Sequence, residues 1–166
     1  MFYAILAVLL VIIDQLTKYL TRANIGLGES VPFIPHVLEF TYVQNTGAAF
    51  SILREHTWLL TLISAILVVV IAWLVVKKFF KGWVGLTAAT LILAGGVGNL
   101  IDRVVFNYVT DMIKTIFIDF PVFNVADCCI TVGVVLLFVY VIFFVKDEPK
   151  KEAAANDSGD LPADGN

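Results

Sequence analysis

The chain has 166 residues, of which 60% are hydrophobic and only 15% are charged, and its mean hydropathy is +0.92. Soluble domains carry about 25% charged residues, so this composition excludes a soluble domain and indicates a membrane protein. The net charge of −3 arises largely from a polar tail after Lys146. The sequence has no basic patch of the kind that predicts binding to nucleic acid.

Four stretches are long and apolar enough to cross a bilayer, which takes roughly 20 mostly apolar residues. They cover about residues 2–20, 58–76, 83–101 and 126–145. The first stretch has no basic start and no small-residue cleavage site, and Asp14 interrupts it early. We therefore interpret it as a span instead of a removable signal peptide. The predicted fold class is an all-α membrane protein with four transmembrane helices in one domain, residues 1–146.

The lysines predict the topology of these spans. Three lie between the second and third spans and three follow the fourth: Lys77, Lys78, Lys81, Lys146, Lys150 and Lys151. The positive-inside rule makes both regions cytoplasmic, and an even number of spans places the N-terminus there as well. Residues 147–166 have no apolar face to bury and are predicted to form a disordered cytoplasmic tail.

The outward-facing connections are then residues 21–57 and 102–125. In the first of them, glycine and proline bound two short runs, residues 31–34 and 38–43, that are rich in β-branched and aromatic residues. Such runs are typical of short strands. We expect a small extracytoplasmic β-containing loop region that lies on the membrane.

Several polar side chains lie within or beside the predicted spans, where an ionisable group is costly unless it is paired or wetted. They are Asp14 and Lys18 in the first span, Asn99 and Arg103 in the third, Asp111 shortly after it, and Asn124 and Asp127 at the start of the fourth. The predicted topology brings six of them to the outer ends of their helices and places Asp111 a few residues past the outer end of the third span. This placement favours chemistry at the outer interface over transport, which uses ionisable groups near the bilayer midplane.

Structural roles remain open for some of these residues. Asp14 and Lys18 are four residues apart, a spacing that is equally typical of a simple helical ion pair. Asn99 and Arg103 are also consistent with contacts between helices or with lipid headgroups. Asp102, at a helix end, is expected either to face solvent or to support the site from behind.

Small residues within the spans are predicted to serve packing. The glycines of residues 94–98 lie inside an apolar span, where close helix contact is their usual role. Cys128 and Cys129 are adjacent in an apolar run, so they can form neither a disulfide framework nor paired metal-ligand motifs. No spacing of His, Asp or Glu resembles a zinc site.

Five short motifs together resemble lipoprotein signal peptidase, also called signal peptidase II. They are DQLTK (14–18), NTGAAF (45–50), GNLIDR (98–103), VTD (109–111) and FNVAD (123–127). Their order and spacing are similar to those of the family over about residues 10–133. Two departures stand out: Ala94 replaces a frequent glycine, and Met112 with Lys114 replaces a commoner aromatic and acidic pair.

The resemblance implies an aspartic endopeptidase whose catalytic residues are Asp111 and Asp127. It assigns supporting or substrate-binding roles to Asp14, Lys18, Asn45, Asn99, Arg103 and Asn124. The implied substrate is a diacylglyceryl-modified prolipoprotein of a bacterial inner membrane, cut just before the lipidated cysteine at the outer face of the membrane. Membrane lipids are the other partner, the chain is expected to act as a monomer, and neither a metal nor another cofactor is implied.

Two carboxyl groups at close range suit metal-free peptide hydrolysis, because they resist joint ionisation and one of them keeps its proton. The alternatives are a divalent-metal site, which would need further oxygen ligands, and two unrelated carboxylates at the interface. A non-enzymatic protein that binds lipoproteins or transports lipid is the competing function. It predicts that Asp111→Asn is tolerated.

Overall fold

The computed structural model describes residues 1–47 and 57–145. Along the chain these residues form α1 (Phe2–Asn24), β1 (Ser30–Ile34), β2 (Leu38–Asn45), α2 (Thr57–Val76), α3 (Gly82–Phe106), β3 (Val109–Thr115) and α4 (Val125–Phe144). Each of the four helices is long and apolar enough to cross a membrane. The predicted fold class is therefore confirmed. The predicted tail, residues 147–166, and the second half of the motif at 45–50 lie outside the described residues.

Two of the helices are longer than hydropathy predicts. The first continues to Asn24 and the third to Phe106, so the polar residues that we placed at their outer ends lie within them. Asp14 and Lys18 are buried and pair with each other within α1. Lys18 also contacts Asn99 of α3, and Asp14 contacts the backbone of Ala126 in α4. The predicted position at a helix end was therefore wrong for α1, whereas Arg103 does lie in the last turn of α3.

The small sheet draws strands from both outward connections. It has three antiparallel strands in the order β1-β2-β3. The first two strands agree with the prediction from residues 31–34 and 38–43. The third was not predicted, although residues 109–115 are rich in β-branched side chains. In the register of β2 and β3, Val43 pairs with Asp111 and Asn45 with Val109.

The third helix is the centre of the bundle. Half of its most apolar stretch is buried (50%), against 6% for α2, which has the highest mean hydropathy, 3.0. Glycines let α3 and α4 approach closely: a Cβ on Gly95 would collide with the carbonyl oxygen of Ala126, and a Cβ on Gly133 would lie 3.0 Å from that of Ala88. The packing role predicted for the glycines of residues 94–98 is confirmed for Gly95, which lets the start of α4 lie against α3. Gly133 was not part of that prediction.

Gly95→Ala is expected to destabilise the bundle by about 1–3 kcal/mol, because the new methyl group meets backbone that cannot move without separating α3 from α4. Gly96→Ala is the matched control, since its Cβ would meet only the Cγ2 of Val68, at 2.9 Å. Thermal unfolding of the detergent-solubilised variants measures the difference. Equal losses of stability in the two variants would contradict the packing role of Gly95.

Candidate active site

Asp111, the third residue of β3, is held by two amide groups from different parts of the chain. Its side chain is almost fully buried, at 2% exposure. The Nδ2 of Asn45 donates to its Oδ2 at 2.8 Å, and the Nδ2 of Asn124 donates to its Oδ1 at 2.6 Å. Both carboxyl oxygens of Asp111 are therefore oriented by hydrogen-bond donors.

Asp127 lies in the first turn of α4, where it completes a capping box with Asn124. The backbone N–H of Asn124 donates to Asp127 Oδ2 at 3.1 Å, and the backbone N–H of Asp127 donates to Asn124 Oδ1 at 2.9 Å. The other carboxyl oxygen, Oδ1, accepts a hydrogen bond from the Nδ2 of Asn99 at 2.7 Å. The helix start thus fixes the carboxyl of Asp127 as well as capping the helix.

Asn124 is the residue that contacts both aspartates. It is fully buried, its amide nitrogen reaches Asp111, and its amide oxygen and backbone N–H reach Asp127. One side chain therefore sets the position of one carboxyl group relative to the other. Asp111 and Asp127, predicted from separate motifs, are brought to one site.

The surroundings of Asp111 favour its protonated form. Burial, followed by the charge of Asp127, raises the pKa of the Asp111 carboxyl to about 7. The hydrogen bonds from Asn45 and Asn124 and the charge of Lys18 act in the opposite direction. This carboxyl therefore keeps its proton to a higher pH than a carboxyl in water does.

Lys114, which departs from the family pattern in the strand that carries Asp111, points away from the site. Neighbouring side chains along a strand point to opposite faces, so residues 111 and 114 lie on different faces of β3. Lys114 instead pairs with Glu39 on the adjacent strand, at 3.3 Å. The departure from the family pattern at Lys114 therefore places no positive side chain beside the Asp111 carboxyl.

Behind the two aspartates lies a buried ion pair between Asp14 and Lys18. The Nζ of Lys18 is 2.9 Å from Asp14 Oδ2 and donates to Asn99 Oδ1 at 2.8 Å. Asp14 Oδ1 accepts a hydrogen bond from the backbone N–H of Ala126 at 2.9 Å. The pair is therefore more than a helical ion pair, because Lys18 orients the amide that holds Asp127 and Asp14 holds the start of α4.

Two residues of this network, Gln15 and Arg22, were not predicted as part of the site, whereas support of the site was one of the two alternatives for Asp102. Asp102 is fully buried, so the alternative in which it faces solvent is wrong. Its carboxyl accepts from the Nε2 of Gln15 at 3.3 Å and from the backbone N–H of Thr110 at 2.8 Å. The helical spacing of Lys18 and Arg22, four residues apart, was the only signal in the sequence that could have pointed to Arg22.

A cavity of about 520 Å³ opens at the two aspartates. Asn45, Asn99 and Arg103 line it together with them, and the rest of its wall is mostly apolar, from residues 120–123 and 130–132. Cys128 also lines the cavity and is exposed, so the packing role predicted for it was wrong, whereas Cys129 is buried as expected. The cavity can hold an extended peptide segment with apolar groups beside the carboxyl pair.

Metal-ligating residues do not cluster in the part of the chain that the structure describes. Within residues 1–47 and 57–145, no three of His, Cys, Asp and Glu form a group that could hold a metal ion.

Comparisons with known proteins agree with this architecture. A family model described as signal peptidase II matches residues 6–143. The lipoprotein signal peptidase of Enterococcus faecalis (strain ATCC 700802 / V583) is 45% identical over 140 residues, which cover 84% of this chain and 87% of the relative. That of Streptococcus pyogenes serotype M1 is 46% identical over 133 residues, covering 80% and 87% of the two chains.

The fold is shared with a solved structure as well. A bacterial membrane enzyme, determined by the in meso method at 2.3 Å resolution, superposes with a TM-score of 0.81 at 36% identity, covering 90% of this chain and 93% of the other. The family match extends from α1 to α4 and includes the residues around the two aspartates. The chain therefore belongs to the signal peptidase II family and is a multi-pass membrane protease.

Proposed function

We propose that this protease is an aspartic endopeptidase that removes the signal peptide from diacylglyceryl-modified prolipoproteins, cutting just before the lipidated cysteine. The observation that carries the proposal is the pair Asp111 and Asp127, which line one cavity and are bridged by Asn124. The lipoprotein signal peptidases to which the chain is similar support the substrate class.

In the proposed reaction the two carboxyl groups share one proton. The ionised member takes a proton from water as the water attacks the scissile carbonyl, while the protonated member donates a hydrogen bond to the carbonyl oxygen and later a proton to the leaving amine. Asn45, Asn99 and Asn124 hold the carboxyl oxygens in place throughout. The proton belongs to the pair and not to one residue, because the two groups titrate jointly.

The cavity suits a lipid-anchored substrate. Its polar wall carries the aspartates and Arg103, and its apolar wall includes Phe120, Phe123 and Ile130. Acyl chains of the substrate can remain among membrane lipids while the peptide bond reaches the carboxyl pair. We also propose that the chain acts as a monomer, since its own asparagines suffice to hold both aspartates at one cavity.

We further infer that both termini are cytoplasmic and that the site lies at the outer face of a bacterial inner membrane. The lysines after α2 and α4 support this orientation through the positive-inside rule. A reporter domain fused after Lys81 is expected in the cytoplasm, and one fused in the turn between β1 and β2 is expected outside. The reverse result would contradict the proposed location of the site.

The rate of cleavage is expected to fall as pH rises through about 7. Asp111 has a pKa raised to about 7, so above that pH the pair loses the proton that it shares and none remains for the carbonyl oxygen. We expect kcat/KM to decline about tenfold per pH unit on this limb, as for loss of one required proton. Lys114→Gln is the matched control: because Lys114 pairs with Glu39, the limb should not move. A flat profile between pH 6 and 9 would contradict the prediction.

The proposed function is tested by mass spectrometry of a purified diacylglyceryl-modified prolipoprotein incubated with the detergent-solubilised protein and a chelator. We expect release of the signal peptide and a new N-terminus at the lipidated cysteine, with no cleavage of the unlipidated precursor. Cleavage that occurs without the chelator but not with it would overturn the metal-free mechanism. Cleavage at another bond, or equal cleavage of the unlipidated precursor, would overturn the substrate assignment.

A further inference from the structure

Thr110, next to Asp111 on β3, is held by two other elements of the fold. It is fully buried, and its side chain faces away from that of Asp111 because neighbouring side chains alternate along a strand. Its backbone N–H donates to Asp102 Oδ2 at 2.8 Å, and its Oγ1 accepts a hydrogen bond from Arg22 Nη1 at 2.7 Å. Thus α3 holds the backbone of Thr110 and α1 holds its side chain.

Arg22 is itself fixed on two sides. Its guanidinium carbon lies 4.5 Å from the centre of the Phe106 ring, a cation–π contact, and its Nη1 is 3.8 Å from Asp102 Oδ2. The side chain is only 19% exposed. Arg22 also lies in the last turn of α1, where a positive charge is favourable. The guanidinium therefore offers a rigid donor to Thr110.

The same network reaches the other aspartate. Asp102 Oδ2 is 3.7 Å from Lys18 Nζ, and Lys18 donates to the Asn99 side chain that holds Asp127. A continuous set of buried contacts thus connects the two carboxyl groups from behind, through α1 and α3. A carboxyl pair is sensitive to such support, because a misplacement of about 1 Å in an active site can cost roughly 100-fold in rate.

We propose that Arg22 is a positioning residue for the cleavage reaction: by clamping Thr110 together with Asp102, it sets the position of the Asp111 carboxyl relative to Asp127. This inference rests on the proposed function. Arg22 is not among the residues that line the cavity, so we do not expect it to contact the substrate. Its role is exerted through the β3 backbone.

The test compares Arg22→Gln, Thr110→Val, the double variant and Thr110→Ser in the lipidated-precursor assay. Thr110→Val removes the same hydrogen bond as Arg22→Gln and leaves every charge in place. We expect each single variant to lower kcat by roughly 10- to 100-fold with little change in KM, and Thr110→Ser, which keeps the hydroxyl, to retain near wild-type kcat. Thr115→Val on the same strand is the matched control and should leave kcat unchanged.

Two further readouts separate positioning from a general loss of structure. The double variant is expected to lose no more kcat than the worse single variant, because both substitutions break one interaction. The high-pH limb of the rate is expected to move to lower pH, since a displaced Asp111 is less buried and further from Asp127. Additive losses, or an unchanged limb in Thr110→Val, would overturn the proposal.

Asp111→Asn tests the proposed function in the same assay. Wild-type cleavage by Asp111→Asn would overturn the aspartic mechanism. An inactive Asp111→Asn beside a fully active Thr110→Val would overturn only the positioning role of Arg22. If Arg22→Gln does not fold in detergent, Thr110→Val and Thr110→Ser still measure the hydrogen bond on which the proposal depends.

Discussion

Replacing Asp111 or Asp127 with asparagine is expected to lower kcat on the order of 10⁴-fold, the upper end of the range for general acid–base catalysis. Asparagine keeps the size of the side chain but can neither take a proton from water nor share one with its partner. Because the two carboxyl groups act as a unit, the double variant should be no slower than either single variant. Single-turnover cleavage of the lipidated precursor measures these rates.

Asp119→Asn is the matched control for these substitutions. Asp119 is exposed in the connection between β3 and α4, so the change removes a carboxyl near the site without touching the pair. We expect its kcat to equal that of the wild type. If either Asp111→Asn or Asp127→Asn retained cleavage while properly folded, the carboxyl pair would not be the catalytic group, and the competing binding or transport function would regain support.

Lys18→Met is expected to destabilise the protein by about 3–5 kcal/mol, because it leaves buried carboxylates without their cation. Lys18 is fully buried, lies 2.9 Å from Asp14 and 3.7 Å from Asp102, and donates to Asn99 at 2.8 Å. Methionine matches the length of the lysine stem but offers no donor. Thermal unfolding in detergent or lipid bicelles should show a large fall in midpoint temperature.

The paired variant Asp14→Asn with Lys18→Met should recover part of this loss, since one of the two uncompensated charges is gone. Lys77→Met is the control, because Lys77 is exposed at the opposite end of the bundle and its loss should change stability by less than about 0.5 kcal/mol. Similar stability losses in Lys18→Met and Lys77→Met would contradict the structural importance of the buried network.

The membrane architecture could be predicted because hydropathy and charge are local properties of the chain. The four spans follow from runs of apolar residues, and the strands at residues 30–34 and 38–45 from their composition and flanking breakers. The choice of Asp111 and Asp127 followed from motif resemblance, and the structure places both at one cavity. Their catalytic role remains a prediction.

The full helix lengths and the third strand depend on contacts between residues that are far apart in the chain, and hydropathy does not predict such contacts. In the residues that extend α1 and α3 beyond the predicted spans, Arg22 and Asp102 find partners on other elements. The third strand forms because β2 offers it an edge. Hydropathy places the end of a span at a charged residue. In the folded chain that charge is paired, and the helix continues past it.

The sequence by itself thus determined how many times the chain crosses the membrane and which polar residues stand apart from its apolar background. Only the tertiary structure decided that Asn124 bridges the two aspartates, that Lys114 turns to Glu39, and that Arg22 reaches Thr110. The physical reason is that burial and hydrogen bonding of a polar group are set by neighbours brought together in space, often from opposite ends of the chain.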